Sequence, residues 1–168
     1  DMGLDRPLPA QFLAYLGDLA RGDLGRSMMT GQPVGRDLLA RLPASLELTL
    51  CALLIAVLVS LPLGIAAALR PGSLLDHAAR IVGALGVAMP TFVTGLLLVY
   101  LFYYLLGWSP DPTGRLDVFV VPPPEITGFL LVDSALAGDA AALRAALAQL
   151  VLPSVTLALF VVAPLSRI

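Results

Sequence analysis

The sequence predicts an all-α, polytopic membrane helical bundle with three transmembrane helices in this chain. Of its 168 residues, 58% are apolar and only 13% are charged, and the mean hydropathy is +0.91. This composition lies well outside the range of ordinary soluble domains. The apolar residues are concentrated in long uncharged runs rather than spread at the spacing of a soluble core, which indicates helices that cross a membrane.

Three uncharged runs supply the predicted spans, because a helix needs about 20 apolar residues to cross the hydrocarbon of a bilayer. The first span is residues 46–70, whose uncharged stretch ends at Arg70. The second span is residues 81–108, and aromatic side chains gather at its far end, as at the headgroup level of a membrane. The third span, residues 150–166, is short, so a re-entrant or buried helix is the alternative. The aromatic cluster consists of Tyr100, Phe102, Tyr103, Tyr104 and Trp108.

Polar segments separate the spans and determine the predicted orientation. Residues 71–80 form a short loop that follows Arg70 and ends at Arg80. Residues 109–149 form a long loop in which acidic side chains predominate, and which contains an amphipathic-looking stretch at 135–147. By the positive-inside rule, the short loop is cytoplasmic and the long loop is periplasmic. Residues 1–45 are too polar to span and are predicted to form a periplasmic surface segment packed on the spans. The alternative is an independent small domain, which these residues disfavour because they contain few large apolar side chains for a core. This segment also carries arginines, which the rule would place inside, so the charge pattern supports the orientation only in part.

The sequence lacks the motifs of several functional classes. It contains no G-x-x-x-x-G-K-[ST] phosphate loop, no H-E-x-x-H pair and no G-x-S-x-G elbow. With one cysteine, Cys51, and one histidine, His77, it predicts no metal site, no cofactor and no catalytic residue. A net charge of -2 argues against a nucleic-acid partner. We therefore predict that the chain is not an enzyme and that a partner supplies its energy.

Ionisable residues near the spans leave alternatives open. Glu47 lies at the start of the first span, where such a side chain commonly marks a solute pathway or a paired charge; the alternative is a carboxylate that snorkels to the interface. His77, beside Asp76 in the short loop, is either a pH sensor or partner contact, or a solvated loop residue. The uncharged interior of the spans disfavours a secondary transporter driven by protons or sodium.

Prolines and their neighbours within the spans are the candidate residues for a translocation path or a hinge. Proline kinks a helix because it removes a backbone hydrogen bond, and small residues let helices approach closely. The alternative is that spanning helices tolerate both residue types without a functional role. The candidates are Pro62, Gly64, Pro90, Thr91, Phe92, Gly95 and Pro153.

Short motifs follow one another along most of the chain. They are GLDRPLP at 3–9, RGDLGRS at 21–27, TGQPV at 30–34, LPASLEL at 42–48, PLG at 62–64, MPTF at 89–92 and LPSVTLAL at 152–159, followed by Ser166 and Arg167. In this order they resemble the dipeptide/oligopeptide permease family of ABC importers, whereas residues 110–147 diverge from it. The resemblance implies a multi-pass permease subunit in the bacterial inner membrane that moves peptides or similar small solutes.

The resemblance also implies a set of partners. Such a permease works by alternating access with a second permease subunit, two cytoplasmic ATPase subunits and an external substrate-binding protein. We expect the external segments 1–45 and 109–149, the second with Asp111, Asp117 and Asp133, to contact the binding protein. Relative to the family pattern, the chain lacks a first helix and the cytoplasmic coupling loop, whose start is expected at Ser166 and Arg167. Similar permeases handle nickel chelates and oligosaccharides, so the cargo stays open.

Two other functional classes remain as alternatives. A secondary transporter would take up its solute on a proton or sodium gradient alone. A membrane-embedded enzyme or scaffold would act without any ATPase partner, although the sequence offers no catalytic constellation for it.

Overall fold

The structure is a computed structural model that describes residues 7–165. Apart from an isolated antiparallel bridge between Arg26 and Pro33, these residues form helices, turns and irregular segments. The predicted all-α class is therefore confirmed for the described part of the chain. The helices are α1 (Leu8–Ala20), α2 (Val34–Leu69), α3 (Leu74–Ala88), α4 (Thr91–Val99), a π-helical segment (Tyr100–Leu105), α5 (Leu130–Leu136) and α6 (Ala140–Leu165).

The chain divides into two compact units, and the first is Asp1–Pro43. Its helix α1 begins after Pro7 and has no buried residue. The helix ends at Ala20 and is followed by Gly22, whose φ of 80° is the left-handed conformation typical of the residue after a helix C-cap. Apolar side chains of α1, including Phe12 and Leu13, are exposed. An exposed apolar face suits a helix that lies on a membrane surface, as predicted for residues 1–45.

Helix α2 starts well ahead of the predicted first span. It has 36 residues, which makes it about 54 Å long, whereas the hydrocarbon of a bilayer is about 30 Å thick. Its first turns contain Arg36, Asp37 and Arg41, and the uncharged run starts only after Glu47. The helix is therefore longer than one bilayer is thick, and the predicted limit at residue 45 lies inside this continuous helix.

The predicted second span is interrupted. Helix α3 ends at Ala88 and α4 begins at Thr91, with Pro90 in an extended conformation at φ -58° and ψ 138°. The break follows from proline chemistry, since Pro90 has no N–H and its ring disfavours a helical conformation at Met89. Farther on, the π-helical segment ends where the N–H groups of Trp108 and Ser109 both bond the carbonyl oxygen of Phe102.

Helix α6 is longer than the predicted third span because it starts at Ala140. The Asp139 carboxylate caps it, accepting hydrogen bonds from the N–H groups of Ala141 and Ala142 at 3.0 and 2.9 Å. Helix α5 and the first turns of α6 therefore lie inside the segment 109–149 that was predicted as a loop. With 26 residues, α6 is long enough to cross a membrane.

Two helices of the described chain are long and apolar enough to span a membrane, residues Val34–Leu69 and Ala140–Val162. The apolar helix Thr91–Leu105 is shorter. A helical membrane protein is thus supported, whereas the predicted count of three spans is not confirmed.

In the second unit, Ala44–Ile168, α6 is the central helix and contacts α3, α4 and α5. A small core joins Ala56 of α2 to Ala158 and Val162 of α6. Small side chains at this contact let the helix backbones approach closely. Only 17% of the most apolar stretch of α2 and 28% of that of α6 is buried. Most of their apolar surface therefore remains available to lipid or to other subunits.

Candidate functional site

Two neighbouring cavities lie in the second unit, between α2, α4, α6 and the segment that follows the π-helical segment. The larger, which we call the α4–α6 cavity, has a volume of about 390 Å³ and is mainly apolar. The smaller, which we call the Glu47 cavity, measures about 260 Å³. The two cavities share the lining residues Leu48, Gly114, Gln149 and Pro153. They therefore form adjoining parts of one concave region.

The structure brings several predicted path residues together. Thr91, Phe92, Gly95 and Pro153 all line the α4–α6 cavity, and Pro90 forms the helix break directly before Thr91. The α4–α6 cavity therefore begins beside a helix break.

The other predicted path residues lie elsewhere. Gly64 lines a third cavity of about 420 Å³, together with Ser60, Asp76 and Arg80. Pro62 is exposed on α2 and does not line any of these three cavities. Ser166 and Arg167, expected at the start of a coupling loop, lie outside the described residues.

Gly95 marks a close approach between α4 and α6. A β-carbon added at Gly95 would lie 3.5 Å from the Thr156 Cγ2 atom, which is an ordinary van der Waals distance. Alanine therefore fits at this position, whereas a larger side chain would have to fill the α4–α6 cavity or push α6 away. The Thr156 hydroxyl donates to the Leu152 carbonyl oxygen at 2.9 Å.

Glu47 is the most strongly constrained charge in the region. Only 6% of the residue is exposed. Its Oε2 atom accepts a hydrogen bond from Arg115 Nη2 at 2.8 Å, and its Oε1 atom accepts one from the Leu131 N–H at 2.6 Å. Leu131 lies in the first turn of α5, where backbone N–H groups have no partner within the helix. The structure therefore supports the paired-charge alternative for Glu47 rather than a carboxylate that snorkels to water.

Asp133 holds the segment that leads into α5. Its carboxylate accepts hydrogen bonds from the N–H groups of Ile126, Thr127 and Gly128 and from the Thr127 hydroxyl, at 2.7 to 3.2 Å. Burial alone would raise the pKa of Asp133, but these hydrogen bonds outweigh burial and hold the pKa below its usual value. Since a lowered pKa means that the ionised form stabilises the fold, this support persists above the ordinary aspartate pKa of about 4 and is lost as the pH falls through the lower pKa of the folded state.

Asp133 is consequently the wrong choice for a binding-protein contact. It is only 2% exposed and its carboxylate is already saturated within the loop. Asp111 is exposed and Asp117 is half-buried, so a contact through these two residues stays a prediction.

The short loop between α2 and α3 is held by a local charge pair. Asp76 accepts hydrogen bonds from the Gly72 N–H at 2.9 Å and from two guanidinium nitrogens of Arg80, each at 3.0 Å. The Arg80 bonds, followed by the Gly72 bond, lower the pKa of Asp76 to about 2. The exposed His77 ring bonds the Ser73 carbonyl oxygen at 2.9 Å. His77 lies in the first turn of α3, so its ring makes a local contact at the start of that helix, and the predicted loop 71–80 is helical from Leu74 onward.

Sequence reasoning did not single out Gln149 or Arg115. Gln149 lines both cavities. Its position as an amide side chain directly before the apolar part of α6 is the feature of the sequence that could have indicated it. Arg115 is separated from Glu47 by 68 positions, a distance at which no sequence pattern indicates a contact. Among residues 7–165, no group of three or more His, Cys, Asp or Glu side chains is placed to hold a metal ion.

Comparison with known proteins identifies the class. No family model matches the chain. It is 45% identical over 94% of its length to the probable D,D-dipeptide transport system permease protein DdpB of Escherichia coli. It is also 42% identical over 99% to the di/tripeptide transport system permease protein DppB of Pseudomonas aeruginosa, and 36% identical over 94% to the dipeptide transport system permease protein DppB of E. coli.

These relatives confirm the resemblance that the motifs predicted. The chain is a homologue, over almost its whole length, of the permease proteins of peptide transport systems. It spans about half the length of the curated relatives it matches, namely 46%, 49% and 47% of them in the order given.

The Glu47–Arg115 pair generates a stability prediction. Glu47→Gln should lower the free energy of unfolding by about 1–3 kcal/mol. The NH2 group of glutamine would point its hydrogens at either the Arg115 guanidinium or the Leu131 N–H, so one of the two present hydrogen bonds would be lost. Arg115→Gln should also destabilise, and the double variant should lose less than the sum of the two by about 1 kcal/mol. Unfolding in detergent micelles measures all three, with the exposed Arg144→Gln as control. Strictly additive losses would contradict a direct pair.

The Asp133 contacts generate a proteolysis prediction. Asp133→Asn should expose the loop, because one amide oxygen cannot replace a carboxylate that accepts four hydrogen bonds. Trypsin added from the external side should then cleave after Arg115 several-fold faster, since cleavage tracks the population of the opened loop. Asp111→Asn, in the same loop but exposed, is the matched control. Equal cleavage rates in the two variants would show that Asp133 does not hold the loop.

Proposed function

We propose that this chain forms part of the membrane-spanning permease subunit of an ABC importer that moves peptides or similar small solutes across the bacterial inner membrane. The observation that carries the proposal is the 45% identity to a dipeptide-transport permease across 94% of the chain. The two long apolar helices and the α4–α6 cavity support it. A volume of about 390 Å³ lies in the usual range for sites that hold small molecules.

In this proposal the chain transports but does not hydrolyse ATP. Two cytoplasmic ATPase subunits supply the energy, a second permease subunit completes the path, and an external substrate-binding protein delivers the solute. Residues 46–70, 81–108 and 150–166 are the proposed membrane crossings, with residues 71–80 in the cytoplasm and residues 1–45 and 109–149 outside. Ser166 and Arg167 lead toward the contact with the ATPase.

The helix break at Pro90 has a mechanical role in the proposal. Alternating access requires that helices lining the path move relative to one another while their hydrogen bonds survive. Because Pro90 already interrupts the helical ladder between α3 and α4, α4 can tilt there without breaking an additional backbone hydrogen bond. Thr91, Phe92 and Gly95 follow directly and move with it, which changes the α4–α6 cavity.

ATP-driven uptake tests the proposed function. The permease is expressed with its neighbouring transport genes and reconstituted in proteoliposomes. We expect these vesicles to take up a labelled dipeptide only when ATP is present on the side of the membrane that carries the ATPase subunits. Gly95→Leu should reduce uptake to a small fraction by filling the α4–α6 cavity, whereas Gly95→Ala should retain most of it because one methyl group fits at 3.5 Å.

The outcomes separate the competing classes. Uptake driven by a proton or sodium gradient without ATP would identify a secondary transporter instead. Activity that needs no ATPase and moves no solute would favour a membrane-embedded enzyme or scaffold. If uptake is ATP-driven and Gly95→Leu leaves it intact, the chain belongs to an importer, but the α4–α6 cavity is not part of its solute path.

A further inference from the structure

Gln149 contains a buried donor without a partner at the junction of the two cavities. The residue is 9% exposed, and its Nε2 atom is buried without any hydrogen-bond partner among the described residues. Burying an amide without a hydrogen bond destabilises a protein. Such a group in a native structure calls for an explanation, and an external ligand is one of the few available.

The neighbouring proline adds a second polar group to the same place. Pro153 lies four positions after Gln149 in α6 and lines both cavities. Because proline has no N–H, the Gln149 carbonyl oxygen lacks the donor that an ordinary helix would provide. The Gln149 side chain supplies both a donor and an acceptor, whichever way its amide is turned.

Four other polar side chains around the cavities are already engaged. The Thr156 and Ser109 hydroxyls donate to the carbonyl oxygens of Leu152 and Pro110, and Glu47 and Arg115 neutralise each other. The charged termini of a peptide would find no unpaired opposite charge in these contacts, so recognition here falls on the neutral peptide group between them. A neutral group with one donor and one acceptor matches the Gln149 amide, and the peptide bond is such a group.

We infer that the Gln149 side-chain amide hydrogen-bonds a peptide group of the transported solute as it passes between the Glu47 cavity and the α4–α6 cavity. Apolar walls then accommodate varied side chains, while one amide recognises the backbone that all peptides share. Gln149 is in this sense a specificity-determining residue. The inference rests on the proposed function, since it names the chemical group that the path recognises.

Substrate pairs that differ only in the peptide group test the inference. L-alanyl-L-alanine and its ester analogue L-alanyl-L-lactate have the same shape, but the ester lacks the N–H and has a weaker carbonyl acceptor. The ratio of their uptake rates by the reconstituted transporter should fall roughly threefold to tenfold in Gln149→Met, the size expected for one lost hydrogen bond. The binding protein is the same in both transporters, so its own preference cancels in this comparison.

A matched variant and a stability measurement separate recognition from a structural role. Thr156→Val removes a hydroxyl from the same helix and cavity, but that hydroxyl already bonds Leu152, so the uptake ratio should stay at the wild-type value. Gln149→Met should unfold at the same temperature as the wild type or a higher one, because it removes a buried donor that has no partner in the fold.

The uptake ratio and the unfolding temperature test the role of Gln149, and ATP-driven uptake by the wild type tests the proposed function. If the wild type transports alanyl-alanine with ATP and Gln149→Met keeps the wild-type ratio, the inference is wrong and the amide is satisfied by water alone. If Gln149→Met unfolds at a clearly lower temperature, the amide bonds within the protein and the inference is also wrong. If the wild type shows no ATP-driven uptake of either compound, the proposed function fails, and the inference fails with it.

Discussion

The buried carboxylate of Glu47 is the interaction on which the arrangement of the second unit depends. A carboxylate removed from water costs several kcal/mol unless charge and hydrogen bonds compensate it, and both compensating groups, Arg115 and the Leu131 N–H, come from the segment 109–149. The segment must therefore be folded against α2 whenever Glu47 is buried. Since Arg115 and Gly114 also line the Glu47 cavity, the same pair determines the shape of that cavity.

The helices of the second unit bury small side chains, and a proline interrupts the helical segment between α3 and α4. Alanines and serines on α2 and α6, such as Ala56 and Ser154, are fully buried, and side chains this small allow the backbones to approach. Pro90 instead separates α3 from α4, next to the α4–α6 cavity.

The sequence features that predicted the structure well were those with a local physical cause. Uncharged runs predicted α2 and α6 because burial in hydrocarbon excludes charge, and Pro90 predicted a kink because it lacks an N–H. The segment 109–149 was predicted as a loop because it is rich in proline. The short helix α5 within it was not predicted, because an N–H group of its first turn bonds Glu47, which is distant in sequence. Asp133 likewise was assigned to the surface because its partners, backbone N–H groups, leave no trace in the sequence.

We propose above that the α4–α6 cavity belongs to a solute path, and the accessibility of Thr156 tests this proposal most directly. In a transporter without native cysteines, the thiol introduced by Thr156→Cys should react with a membrane-impermeant maleimide from the aqueous phase, and dipeptide with its binding protein should slow the reaction. If the thiol reacts only with a lipid-soluble maleimide, or if dipeptide leaves its rate unchanged, the α4–α6 cavity is not part of the path.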